Sequence, residues 1–109
     1  MLETEFKFGE VHDLKAQTEY SDEKVQFKSI FSNSNGGVAL ITMKAGQRLD
    51  EHVAPAEIMV TVLEGEIDFT VVDHVKSINT GEFMLVGEGV KHQVLAKKDS
   101  KIMLVKVTA

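Results

Sequence analysis

Gly46-Gln47-Arg48-Leu49-Asp50-Glu51-His52-Val53-Ala54-Pro55-Ala56-Glu57-Ile58-Met59-Val60-Thr61-Val62-Leu63-Glu64-Gly65 is the stretch from which the rest of the chain is read. It holds the only proline, one of four histidines, and an apolar run that stops at a Glu-Gly turn signal. Pro55 has no N–H to give a sheet ladder, so it belongs at a strand start, a bulge or an edge. From Ala56 to Leu63 only Glu57 and Thr61 are polar, which predicts a strand with little solvent on either face. A glycine, a polar ramp to His52 and then such a strand is an arrangement that sets a side chain at the mouth of a sheet.

Downstream, Ile67, Phe69 and Val71 alternate with Asp68, Thr70 and Val72, as in the return strand of a hairpin. Asp73-His74 reads as the next turn, followed by a short strand through Ile78 and a turn at Asn79-Thr80-Gly81. Glu82 to Val86 is strand, Gly87-Glu88-Gly89 loop, and Val90 to Ala96 strand again. Lys97 to Lys101 is a polar loop, and Ile102 to Val107 closes the chain.

Upstream, Val38 to Lys44 is a strand whose one charge, Lys44, shares a face with Val38, Leu40 and Thr42. Ala39, Ile41 and Met43 are therefore expected to point inward. Ser32 to Gly37 is a turn by composition, and Val25, Phe27 and Ser29 alternate with polar residues as in a half-buried strand. Asp13 stands where it can cap a turn or two of helix over 14–17. Residues 1–12, with Phe6, Phe8 and Val11, suit an edge strand. Eight to ten short strands with almost no helix predict a single all-β domain over residues 1–109, a sandwich or barrel.

The totals exclude several functions. A net charge of −5 with no clustered basic face argues against a nucleic-acid partner and against an anionic membrane surface. The chain has no cysteine, so it offers no disulfide, thiolate nucleophile or Cys-ligated zinc. Met1 to Lys7 lacks the features of a signal peptide, and no apolar run approaches the roughly 20 residues that cross a bilayer. A cytoplasmic protein is the expectation. No Ser/His/Asp spacing suggests a nucleophile, and there is no phosphate loop.

Two glycine-to-histidine ramps share a design: Gly46 to His52, and Gly81 through Gly89 to His92. Paired ramps separated by a hairpin resemble the two motifs of the cupin superfamily. That resemblance implies a double-stranded β-helix, or jelly roll, with its barrel core at about 37–107. Gly46, His52 and Gly65 match the first motif, with Ala54 at the place of its second histidine and Ile58 at the place of its glutamate. Gly81, Gly89 and His92 match the second, with Gly87 for its proline and Ala96 for its asparagine.

The resemblance implies a cage of three histidines and one carboxylate for a divalent transition metal. This chain keeps two of those ligands, His52 and His92. Glu57 is the available third, but it has the opposite strand parity from Ile58 and needs a bulge after Pro55 to reach inward. The expected cofactor is none, or a weakly bound divalent metal. With Ala54, Ile58 and Ala96 in place of polar residues, and Met43 on an inward position, the reading is an apolar ligand pocket around two histidines. The alternative for that pair is a core contact bonded to backbone. His12 and His74 fall in turn-like polar contexts and read as surface residues.

Three functions are weighed. The first is a small-molecule-binding barrel with an incomplete metal site. The second is a metal-dependent enzyme, a dioxygenase or isomerase, using His52, His92 and Glu57. The third is a sensory or assembly module without chemistry. Strands apolar on both faces need a cover, and small cupins commonly pair through their sheets, so a homodimer is expected.

Overall fold

β1 (Gln26–Asn33), β2 (Gly36–Met43), β3 (Arg48–Val53), β4 (Glu57–Glu64), β5 (Glu66–Val71), β6 (His74–Asn79), β7 (Phe83–Val86), β8 (Lys91–Ala96) and β9 (Ser100–Val107) follow one another in the computed structural model, which describes residues 1–108. All neighbouring strands are antiparallel. They form a five-stranded sheet in the order β1-β2-β9-β4-β7 and a four-stranded sheet in the order β3-β8-β5-β6. The protein is all-β with two facing sheets, as the alternation predicts, and these form the jelly roll that the resemblance implies.

The core lies between the sheets and is built from one parity of each strand. Ile41 and Met43 of β2 meet Ile58, Val60 and Val62 of β4 and Ile102 of β9 from one side. Ile67 and Phe69 of β5 with Val94 and Ala96 of β8 close it from the other. Ile41 and Met43 are inward as expected, while Ala39 is only half-buried.

The opposite face of β2 is also dry at Leu40 and Thr42, and the N-terminal segment supplies the cover. Lys28, which pairs with Leu40 across the β1–β2 ladder, is ion-paired with Glu5 and lies over the Phe6 ring. Lys101, opposite Thr42, donates from Nζ to the carbonyls of Lys15 at 2.5 Å and Thr18 at 2.9 Å. Tyr20 donates its hydroxyl to Glu64 at 2.5 Å, which ties the same segment to the end of β4. Burial first, then the bond to Glu64, raises the Tyr20 pKa well above the ordinary phenol.

Gly65 is required by space as well as by backbone. Its φ is 98°, and a Cβ there would stand 2.3 Å from Ser100 Oγ. The β5–β6 hairpin turns on two residues without glycine, Val72 and Asp73, at φ 47° and 66°. Positive φ at both places is what a right-twisted two-residue hairpin needs.

Four expectations from the sequence are corrected. Residues 1–12 form no strand beyond an isolated bridge between Glu3 and Ser32, because Phe8 and Val11 have no sheet face to pack on and remain exposed. The short helix is a 3-10 turn over Lys15–Gln17 with Leu14 at its N-cap, and Asp13 makes no capping bond. β1 runs on through Ser32 and Asn33, since both find ladder partners in Gly37 and Gly36; its Phe27 is exposed. His74 is not in a turn: it opens β6, paired with Val71.

Candidate functional site

β3 and β8 lie side by side, and their register sets His52 directly opposite His92. The ring centroids are 4.1 Å apart with planes at 65°, an edge-to-face pair. A register shift between Leu49 and His52 bends β3 just before the histidine, as bulges near a barrel rim do. His52 is exposed at that rim, whereas His92 is buried. The Phe69 ring stacks on His92 at 5.3 Å between centroids and 10° between planes.

Each histidine is oriented in the same way. His52 Nδ1 lies 2.9 Å from the Asp50 carbonyl, and His92 Nδ1 lies 3.1 Å from the Val90 carbonyl. A carbonyl oxygen only accepts, so each Nδ1 carries a proton, and whenever a ring is neutral its Nε2 keeps the lone pair. Burial holds the His92 pKa below the usual histidine value, and the charge of a protonated His52 would lower it further. The Val90 carbonyl works in the opposite direction.

Between the sheets beside this pair is a cavity of about 40 Å³, bordered by His52, His92, Ile58, Phe69, Leu49 and Leu104. A space of that size takes one water-sized group. Ile58 borders this cavity. Ala54, Ala96 and Met43 are buried in the core but do not border the cavity. The interior is narrower than the substitutions suggest, with Phe69, Ile58 and Val60 among the side chains that border the small cavity.

Glu57 does not reach the pair. No bulge follows Pro55, Ile58 keeps the inward parity, and a Glu57 carboxylate oxygen accepts the Glu88 N–H at 2.9 Å. Among the described residues there is no group of three or more His, Asp or Glu able to hold a metal ion. The donor set present, two imidazoles beside Ile58 and Phe69, does not fit the cage of three histidines and a carboxylate.

A third histidine joins the row. Across the inward face of the four-stranded sheet, His52 pairs with His92, His92 with Val71, and Val71 with His74. The turn at Val72 and Asp73 starts the next strand at His74, and neither residue marks that turn in the sequence as a glycine would.

Two antiparallel sheets closed face to face, with a histidine from each motif meeting at one rim, define a cupin-type barrel. The chain belongs to the cupin family: the family model described as "Cupin domain" matches residues 39–108, more than half of the chain. Solved structures share the fold. A protein of unknown function from Streptococcus pyogenes has a TM-score of 0.87 at 20% identity, over 95% of this chain and 91% of that one. A cupin superfamily protein from Desulfitobacterium hafniense has a TM-score of 0.83 at 16% identity, over 88% of each chain. An RmlC-like cupin from Desulfovibrio desulfuricans has a TM-score of 0.80 at 26% identity, over 90% of this chain and 95% of that one. Among curated proteins, no match was found. No helix among the described residues is long and apolar enough to cross a membrane.

Proposed function

We propose that this cupin binds a small molecule through the His52–His92 pair, without the family's complete metal cage. The observation that carries the reading is the shared tautomer. Both Nδ1 atoms are engaged by backbone carbonyls two residues back, which leaves the Nε2 of each neutral ring as an acceptor, one ring at the rim and one buried, beside an apolar space. Such acceptors select a ligand with O–H or N–H donors. The cavity admits one small group of that ligand, and the remainder lies outside over the exposed His52. Neutral imidazoles at this rim also have the chemistry to accept a proton from a bound hydroxyl or amine.

A thermal-shift panel of polyols, amines and hydroxy-aromatics on the wild-type protein and His52→Ala tests the reading. Stabilisation by a donor-bearing compound, lost in His52→Ala, is the expected result. A flat panel would favour a module without a ligand. Metal analysis of protein purified without chelator is the second arm: stoichiometric metal that disappears in His52→Ala would overturn the proposal.

A further inference from the structure

On the side of the barrel away from β3, the two sheets part. β6 ends the four-stranded sheet and β7 ends the five-stranded one, and neither outer edge is paired with a further strand. Between them lies an open cleft of about 840 Å³, a size that suits a drug-sized ligand. Val71, Met84, Leu85 and Val86 make its apolar side, and His74 and Lys76 stand at its polar side.

Register puts both polar residues on the inward face of β6, in the parity of the buried Ile78. Lys76 ends a row that is otherwise apolar: Leu49 opposite Val94, Val94 opposite Phe69, and Phe69 opposite Lys76. Among the described residues six lysines are ion-paired; Lys76, like Lys24, Lys91, Lys101 and Lys106, is not, and of these five only Lys76 borders the cleft. The one carboxylate bordering the cleft, Glu82, receives the Asn79 N–H at 2.8 Å. A chain of net charge −5 thus leaves a cation without a carboxylate partner, beside apolar surface.

We propose that this cleft binds an apolar molecule bearing a carboxylate, held between Lys76 and His74 with its apolar body against β7. Two residues on one strand face are about 7 Å apart, a spacing that lets two donors flank one carboxylate. Contact with Val71, Met84 and Val86 removes apolar ligand surface from water and supplies most of the affinity. The charge-assisted bond from Lys76 Nζ distinguishes an acid from an alcohol of equal length. The site is separate from the His52–His92 pair, with Val71 between them in the row, and it does not depend on that reading.

The test is an NMR titration of the full chain with octanoate and with octan-1-ol, following backbone amides. Octanoate is expected to shift β6 and β7 amides and to bind about tenfold more weakly to Lys76→Met, with octan-1-ol indifferent to that change. His74→Gln is expected to weaken octanoate in the same sense, and His52→Ala to leave it unchanged. Equal affinity for acid and alcohol, an unaltered octanoate affinity in Lys76→Met, shifts centred on His52 and His92, or no binding at millimolar octanoate would each overturn the proposal. All three exchanged positions are exposed, so the variants keep the fold.

Discussion

His52 and His92 meet edge to face across the β3–β8 ladder at 4.1 Å, one at the rim and exposed, the other buried against Phe69. The asymmetry has a consequence for stability. His92 has a folded-state pKa below its unfolded value of 6.5, because burial and the charge of its neighbour disfavour the imidazolium. The unfolded chain then takes up a proton before the folded one does. Stability is fully present above pH 6.5 and is lost as the pH falls from there through the lower folded pKa. Thermal melts between pH 7.5 and 4.5 are expected to show this decline, with a shallower slope in His92→Gln. Equal slopes in the two proteins would refute the assignment.

The same contact predicts a shift in titration. In His52→Ala, His92 loses a repelling neighbour and gains solvent, and both changes favour its charged form. Its midpoint, followed by histidine NMR, is expected to move up. In the wild-type protein the Nδ1–H tautomer is expected for both rings at neutral pH, and the opposite nitrogen pattern would contradict the carbonyl bonds.

Much of the fold was legible in the residues, and the illegible parts have physical causes. Most strands from Ile67 to Ala96 alternate because each buries one face, while β2 is apolar on both parities because both of its faces are covered, and Gly65 marks a turn that nothing larger fits. His52 and His92 were legible as partners because glycine spacing aligns their strands. His74 was not, since its hairpin turns on Val72 and Asp73, residues that do not announce positive φ. The N-terminal residues also misled: Phe6 and Phe8 alternate like a strand, yet only Glu3 finds a ladder partner. The cavity size was hidden as well, because it depends on how Phe69 stacks on His92.

Placing a carboxylate beside the two histidines tests whether the pair can serve in a metal site. Ile58 borders the cavity with both histidines, so Ile58→Glu would create two imidazoles and one carboxylate at a single site. Without metal, a glutamate at this buried position is expected to cost about 2–4 kcal/mol. Added zinc or manganese is expected to recover stability in the variant, through binding to the folded state alone, and to leave the wild-type melting temperature unchanged. An equal metal response in both proteins would show that the natural pair already binds.

Phe69→Ala addresses the other wall. Phe69 is almost fully buried and stacks on His92, so its loss is expected to destabilise the protein by about 3–5 kcal/mol. The room created adjoins a cavity that now takes one small group, and the variant is expected to gain affinity for a compact apolar guest such as benzene. A crystal soak or a methyl-NMR titration would show whether the guest sits beside His92.

The N-terminal cover supplies a prediction away from the site. Tyr20 donates to Glu64, and Lys101 reaches back to the carbonyls of Lys15 and Thr18, so residues 15–20 are held over the dry outer face at Thr42. Tyr20→Phe keeps the ring under Lys101 but removes the hydroxyl, and leaves Glu64 with Lys15 and Lys101 as the cations that act on it. The bond to Tyr20 is the main cause that holds the Glu64 carboxyl below its usual pKa, so that pKa is expected to rise in the variant. The stability loss is expected at about 1–2 kcal/mol, toward the lower end for a hydrogen bond to a charged group because Glu64 is partly exposed to solvent. Amide exchange is the sharper readout. Protection should fall at 15–20 and near Thr42 while the amides of β5 and β8 hold theirs, because those strands belong to the other sheet. Uniform loss across both sheets would mean that the clamp supports the whole barrel and not its cover alone.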